Sequence, residues 1–208
     1  MKKLFLSAAI AVSSLSFAQQ FGVKAGMNVS SLSDDASLSD QKSKIGFNAG
    51  VFMNAPLGQN FSIQPELLYN NLGSKVTLTE VDLGNTTYRS EYARHLDYIT
   101  IPVMFQYNAT PEFYLEAGPE FGILVNAKDK YKSSENGVTQ GTTTSNISTD
   151  NFNSFNFGLG LGAGYYFTPK IGVTARYVAG LTDIAKDRPS GSDAVRNNVF
   201  QVGLAYKF

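Results

Sequence analysis

Apolar and polar side chains alternate through the stretch from Phe155 to Leu181, and this pattern predicts a β-hairpin. Every second position from Phe155 to Phe167 is apolar or aromatic, and the positions between them are mostly glycine. The alternation restarts at Ile171, after a turn at 168–170. Because successive side chains of a strand point to opposite faces, each arm has one apolar face and one small or polar face. Both arms are long for soluble strands but suit strands that cross a bilayer at a tilt.

The same alternation recurs along the chain and predicts an all-β fold, an eight-stranded antiparallel up-and-down transmembrane β-barrel. The predicted strands cover residues 21–31, 44–54, 61–79, 92–107, 113–127, 155–167, 171–181 and 197–208. Short turns alternate with long polar loops, of which the longest is predicted at 128–150. This asymmetry is typical of outer-membrane barrels, with turns and both termini in the periplasm and long loops outside. The third and fourth strands are expected to extend beyond the bilayer as a paired sheet edge.

The first 18 residues have the pattern of a secretory signal peptide. Lys2 and Lys3 form a basic start, an apolar run covers residues 4–12, and small residues end at Ala18. We expect cleavage between Ala18 and Gln19, which leaves the barrel domain at 19–208. An uncleaved helical anchor is the alternative, but the apolar run is short for a membrane-spanning helix.

Periodicity alone does not tell which face of the barrel is inside. A secreted, lipocalin-like barrel is also eight-stranded, but its apolar face points inward. Three features favour the membrane version instead. Glycines crowd the polar face, which suits a narrow interior. Aromatic residues cluster near both ends of the strands on the apolar face, as in the two girdles of membrane barrels. Phe208 lies in register with that face.

Composition excludes several classes of protein. The 208 residues suit one domain and carry no net formal charge, so there is no basic footprint for nucleic acid. Cysteine is absent, which excludes a disulfide framework, a thiolate zinc site and a cysteine nucleophile. No motif indicates a cofactor or a metal.

Five phrases of the sequence, taken in order, resemble the PorT-like outer-membrane β-barrel domain of Bacteroidetes. They are GVKAGMNVS, LDYITIPVMFQY, FYLEAGPEFGIL, FNFGLGLGAGYYF and VFQVGLAYKF. The resemblance spans essentially the whole chain after the signal peptide. It implies that Phe208 is the signal by which the barrel assembly machinery recognises its substrate. The namesake of the family is implicated in gliding and protein secretion, but no residue here singles out that role.

Charged residues on the polar face are expected to form a network in the barrel lumen. An eight-stranded barrel is just filled by side chains, so geometry disfavours a wide aqueous pore and the charges should pair. We predict that Arg176 pairs with Glu66, Glu116 or Glu120. The network either fills and rigidifies the interior or gates a polar path for small solutes. The residues predicted to point inward are Lys24, Lys44, Glu66, Asp97, Glu116, Glu120, Arg176 and Lys207.

His95 is the only histidine, and Ser90, Glu91 and Asp97 lie near it in sequence. Some outer-membrane barrels are hydrolases that use such residues at the outer rim. No second histidine and no oxyanion or metal motif accompanies His95, so we predict no catalytic residue and no enzyme.

The sequence therefore predicts a non-enzymatic, integral outer-membrane protein with a structural or adhesive role through its extracellular loops. A narrow small-solute channel is the second hypothesis and a rim hydrolase the third. The expected partners are outer-membrane lipid and lipopolysaccharide, the assembly machinery and an unknown extracellular ligand, but not nucleic acid. A link to secretion rests on the family resemblance alone.

Overall fold

A computed structural model describes residues 19–32, 41–82, 84–186 and 194–208. The predicted signal peptide lies outside these residues. Within them the chain forms nine antiparallel β-strands and one short 3-10 helix, Thr149–Asn151. No helix among them is long and apolar enough to cross a membrane. The strands are β1 Gln20–Leu32, β2 Gln41–Pro56, β3 Phe61–Val81, β4 Thr87–Asn108, β5 Phe113–Glu135, β6 Val138–Ile147, β7 Phe155–Tyr166, β8 Ile171–Gly180 and β9 Asn197–Lys207.

Eight of these strands close into a barrel, as the sequence predicts. Neighbouring strands pair in chain order, β5 pairs directly with β7, and β9 returns to pair with β1. The connections at 57–60, 109–112 and 167–170 lie at one end, which we call the turn end. The opposite end, where the longer connections lie, is the loop end.

The segment 128–150 is largely strand, so its prediction as a loop was wrong. β5 continues to Glu135, and β6 returns beside it as the second arm of a hairpin outside the ring. Asn136 and Gly137 form the turn, both with positive φ, at 47° and 81°. An Asn-Gly pair is a strong signal for such a hairpin turn. The strands themselves were missed because their residues are polar on both faces.

β3, β4, β5 and β6 continue past the loop end as a four-stranded outer sheet, made of residues 72–81, 87–97, 127–135 and 138–147. The third and fourth predicted strands therefore extend as expected, but not as a two-stranded edge, because β4 lies between β3 and β5. The inner face of this sheet continues the lumen wall, and its outer face continues the exterior of the barrel. β3, β4 and β5 pass from barrel to sheet without a break, so the barrel holds the sheet in place.

The apolar face of the barrel points outward. Large apolar side chains such as Ile45 and Leu161 are 67% and 68% exposed, and similar residues alternate along every strand of the ring. Aromatic rings lie near both ends of this band, including the Phe61–Tyr107 contact at 5.4 Å near the turn end. A continuous apolar band with aromatic edges is a surface for lipid rather than water. The lipocalin-like alternative, with its apolar face inward, is thus wrong.

The lumen is filled in three layers. An aromatic layer at the turn end contains Phe52, Tyr114 and Tyr166. Charged and amide side chains form the middle layer, and an apolar layer closes the loop end. Glycines in the wall make room for the rings: a Cβ on Gly164 would lie 2.3 Å from the ring of Tyr114. The apolar layer consists of Leu72, Leu96, Tyr98, Leu124, Ala127, Val178, Ile184 and Val199.

Candidate functional site

Arg176 is the centre of the charged layer and is 2% exposed. Its Nη1 and Nη2 donate to the two carboxylate oxygens of Glu66 at 2.9 and 2.7 Å, and its Nε donates to Glu116 at 2.7 Å. Lys24 donates to Glu66 at 3.1 Å. The predicted pairing of Arg176 is therefore present with two of the three candidate carboxylates. Two cations and two carboxylates balance one another in the middle of the barrel.

Neutral amides complete the hydrogen bonding of these carboxylates. Gln64 donates to Glu66 at 2.8 Å, and Gln106 donates to Glu116 at 3.1 Å. Asn54 in turn donates to Gln106 at 2.7 Å. Because each carboxylate has several partners from different strands, the network crosslinks the wall and fills the middle of the lumen.

Glu120 and Lys207 point into the barrel but stay outside this network. Glu120 is buried, and its Oε2 has no hydrogen-bond partner. The ammonium of Lys207 lies 4.0 Å from the ring centre of Tyr166, a cation–π contact at the turn end. Their inward direction agrees with the sequence, and any gating role stays a prediction.

Asp97 does not point into the lumen, so this prediction was wrong. Asp97 occupies an odd position of β4, where even positions such as Thr100 face inward, and it binds Asn71 and Asn126 on the outer face. The ammonium of Lys44 also contacts Asn71. Lys44 is 4% exposed, stays paired with Ser30 of β1, and also donates to the carbonyl of Leu72 at 3.2 Å. Its place in a lumen network stays a prediction.

His95 and Ser90 lie on opposite faces of β4, because their positions differ by an odd number. Ser90 lies within 3.4 Å of the Tyr131 hydroxyl on the inner face of the outer sheet, while His95 lies on the outer face. Burial and the nearby Lys44 ammonium lower the pKa of His95 below its usual range. β4 therefore does not bring this serine and histidine together.

Phe208 follows β9 on the exterior at the turn end. Its ring is exposed and meets Tyr206 edge-on with centres 5.8 Å apart. Its N–H donates to the carbonyl of Phe21 at 2.9 Å. Its role as an assembly signal stays a prediction.

A pocket of about 680 Å³ opens at the loop end, between the inner face of the outer sheet and two cap segments at 149–153 and 181–186. We call it the mouth pocket. Two rows of side chains across the four strands form its wall. The rows are Ser74–Arg94–Asp129–Ser145 and Val76–Tyr92–Tyr131–Thr143.

The cap segments are held on the barrel by local hydrogen bonds and by the apolar layer. The N–H of Asn153 donates to the carbonyl of Ile184 at 3.0 Å, and that of Ile184 to Val195 at 2.9 Å. The side chain of Ile184 is buried in the apolar layer. Phe152 faces the pocket from the cap side. The cap therefore closes the barrel mouth and forms the floor of the pocket.

Polar and aromatic groups are both preorganised in this pocket. Arg94 donates two bonds to Asp129, at 2.9 and 2.7 Å, and these bonds raise the pKa of Arg94. The Arg94 guanidinium also lies 5.5 Å from the ring centre of Phe152. The rings of Tyr92 and Tyr131 pack with centres 4.7 Å apart. The pocket thus combines flat apolar surfaces with a few oriented polar groups. The sequence offered no periodic signal for it, because its walls come from four strands and a cap.

The Lys75–Glu91 pair on the outer face predicts how the outer sheet responds to acid. Hydrogen bonding to Lys75, at 2.7 Å, lowers the pKa of Glu91. A carboxyl whose pKa is lower in the folded state stabilises it above the unfolded pKa of about 4.3, and this contribution disappears as pH falls through the folded value. Because the pair is partly exposed, we expect it to contribute less than about 1 kcal/mol to the free energy of unfolding.

Hydrogen exchange of the amides at 75–77 and 91–93 measures this effect. At pH 6 the Glu91→Gln variant should exchange faster than the wild type, and the two should converge as the pH falls through the lowered pKa of Glu91. Glu80→Gln, on the same sheet, is the matched control and should follow the wild type. A Glu91→Gln difference that persists at low pH would contradict a stabilising role of the ionised pair.

Comparison with known proteins gives one family and a set of solved barrels. The family model of the outer membrane protein beta-barrel domain matches residues 17–186. Ail of Yersinia pestis, solved in complex with the heparin analogue sucrose octasulfate, is 14% identical, with 91% of this chain and 99% of that chain covered and a TM-score of 0.47.

Two further solved barrels are similar at the same level. Neisserial surface protein A is 14% identical over 90% of this chain and 97% of that chain, with a TM-score of 0.46. OprG of Pseudomonas aeruginosa is 15% identical over 92% of this chain and 96% of that chain, with a TM-score of 0.38. No curated protein matches the sequence significantly.

Proposed function

The chain belongs to the family of outer membrane protein beta-barrel domains, and we propose that it is a non-enzymatic binding protein that holds a small amphipathic ligand in its mouth pocket. It is an outer-membrane barrel. In such barrels the short turns are periplasmic and the longer connections extracellular, so the mouth pocket would open at the cell surface.

The observation that carries this proposal is the pocket itself. Its volume of about 680 Å³ falls within the usual range for small-molecule sites. Tyr92, Tyr131 and Phe152 offer flat surfaces to an apolar part of a ligand, and Ser74 and the Arg94–Asp129 pair offer polar groups to its hydroxyls. A rigid barrel that carries a polar, shaped outer segment is a common arrangement for binding.

The other two hypotheses have less support. A channel needs a path past the Arg176–Glu66–Glu116 network and past the apolar layers at both ends, and each of these is closely packed. A rim hydrolase needs a nucleophile beside His95, but Ser90 lies on the other face of β4. A role in secretion, and the PorT-like assignment itself, rest on the sequence resemblance.

The absence of tryptophan from the chain allows a clean binding experiment. A single Trp is placed at Ser145, on the pocket wall, or at Asn146, the next residue, on the opposite face of β6. The barrel is reconstituted in lipid nanodiscs and titrated with 4-nitrophenyl glucoside, whose nitrophenyl ring quenches tryptophan. We expect saturable quenching for Ser145→Trp and only linear, collisional quenching for Asn146→Trp.

Adding Tyr131→Ala to the Ser145→Trp protein should weaken the saturable quenching roughly fivefold, because the aromatic pair with Tyr92 is lost. Tyr88→Ala removes a tyrosine of the same strand as Tyr92 but outside the pocket, and should have no effect. Linear quenching at both tryptophan positions would contradict binding of an aromatic glycoside in the pocket.

A further inference from the structure

The outer face of the outer sheet is strongly basic. Rows of side chains run across β3, β4, β5 and β6 on this face, which is opposite to the mouth pocket. Lys128, Lys130 and Lys132 alternate along β5 and all point to this face. Like charges on alternate residues of a strand lie about 7 Å apart and repel one another. The remaining cations of this face are Lys75 and Arg89.

Little negative charge compensates these cations. Glu91 pairs with Lys75 at 2.7 Å and lies opposite Lys132 in the β4–β5 pairing. Asp97, at the base of the sheet, is the second carboxylate of this face. In the part of the chain that the structure describes, no carboxylate lies within ion-pair distance of Lys128, Lys130 or Lys132. On the inner face, by contrast, Asp129 neutralises Arg94. The excess positive charge is therefore confined to one side of the sheet, and an anionic partner on that side would relieve the repulsion.

This basic face begins where the lipid-facing band ends. On β5, the exposed apolar residues Phe121, Ile123 and Val125 lead directly to Lys128. Three residues of strand separate Val125 from Lys128, and seven separate it from Lys132, or about 10 and 23 Å along the strand. A molecule against this face would therefore have its apolar part beside the barrel and its anionic part beside the lysines.

A polar cluster marks the boundary between the two regions. Asp97 binds Asn71 and Asn126 on the outer face, just above the exposed apolar residues of β3 and β4. The ammonium of Lys44 contacts Asn71 there. Asp97 and Lys44 are 7% and 4% exposed, so this cluster is a closed boundary between the apolar band and the lysines.

We propose that the outer face of the outer sheet binds the phosphate groups of lipopolysaccharide in the outer leaflet. The lysines of β5 contact the phosphates, and the apolar band below contacts the acyl chains. This lateral lipid site is independent of the mouth pocket, because the two use opposite faces of the same sheet. These lipid contacts would hold the outer sheet upright above the membrane surface. Its inner face would stay open to a ligand.

Lipid retention tests this site. The barrel is reconstituted in phosphatidylcholine vesicles that contain a small fraction of rough lipopolysaccharide, extracted with mild detergent, and its retained lipid is measured by native mass spectrometry. We expect the wild type to retain lipopolysaccharide roughly threefold above its share in the vesicle, and Lys128→Gln/Lys132→Gln to retain it at that share. Lys170→Gln/Lys186→Gln, with the same change in charge elsewhere, should behave like the wild type.

Two further comparisons separate phosphate recognition from retention through the acyl chains alone. Dephosphorylated lipopolysaccharide should not be enriched, and raising the salt from 0.1 to 0.5 M should reduce enrichment of the intact lipid. Tyr131→Ala, in the mouth pocket, should leave the enrichment of intact lipopolysaccharide unchanged. Equal retention by the wild type and by Lys128→Gln/Lys132→Gln would overturn the proposal, and so would equal retention of the dephosphorylated lipid. Heat-dependent gel mobility checks that each variant is folded.

Discussion

Replacing Arg176 with Met is expected to destabilise the folded barrel by about 3–5 kcal/mol, because it leaves two buried carboxylates without their main partner. Glu66 would lose two hydrogen bonds and Glu116 one. Lys24 still contacts Glu66, but no other cation bonds to Glu116 among the described residues. Urea-dependent folding into lipid vesicles, followed by gel mobility of unboiled samples, measures the free energy of unfolding.

Two comparisons make this result specific to the network. Arg94→Met breaks a bidentate pair of similar geometry at an exposed site, where the expected cost is below about 1 kcal/mol. Neutralising the carboxylates as well, in Arg176→Met with Glu66→Gln and Glu116→Gln, should recover much of the stability. If Arg176→Met and Arg94→Met cost the same, the lumen network would not be a buried, water-excluded structure.

An arginine at position 161 is expected to destabilise the barrel by about 2–4 kcal/mol, because it places a charge on the lipid face near the middle of the bilayer. Leu161 lies in the middle of β7 and is 68% exposed. In water, a change at so exposed a position would cost little. The same folding assay in vesicles measures the difference.

Val138→Arg is the matched control for Leu161→Arg. Val138 is 64% exposed, but it begins β6 at the tip of the outer sheet, far beyond the apolar band. We expect it to change stability by less than about 0.5 kcal/mol. Equal effects at the two sites would place Leu161 in water and would contradict a membrane-embedded barrel wall.

The outer sheet and the side chains that fill the lumen are parts of one arrangement. Side chains from several strands meet at Arg176 and hold the wall in a fixed shape. β3, β4 and β5 carry that shape past the loop end, where the Tyr92–Tyr131 and Arg94–Asp129 pairs form the wall of the mouth pocket. A rigid barrel therefore places both faces of the sheet, one toward the proposed ligand and the other toward the proposed lipid.

Several local features were predictable because they depend on neighbours in sequence. Alternation places Leu161 on the apolar face of its strand and Arg176 on the polar face of its own. The glycines of the polar face and the aromatic residues at the strand ends indicated which face is outside. The glycines of the polar face indicated a crowded interior, and Gly164 indeed lies against the ring of Tyr114. The β5–β6 turn also had a local signal, Asn136-Gly137. The two strands beside it were not predicted, because polar residues on both of their faces give no alternation.

The sequence by itself determined the eight-stranded ring, the direction of its two faces and the need for its buried charges to pair. Only the tertiary structure decided that Arg176 binds both Glu66 and Glu116, that Asp97 lies outside, and that a cap and four strands enclose the mouth pocket. The physical reason is that alternation is a property of one strand, set by backbone geometry. Partners across a barrel depend on strand register, and register shifts such as the one between positions 43 and 48 are set by pairing between distant segments.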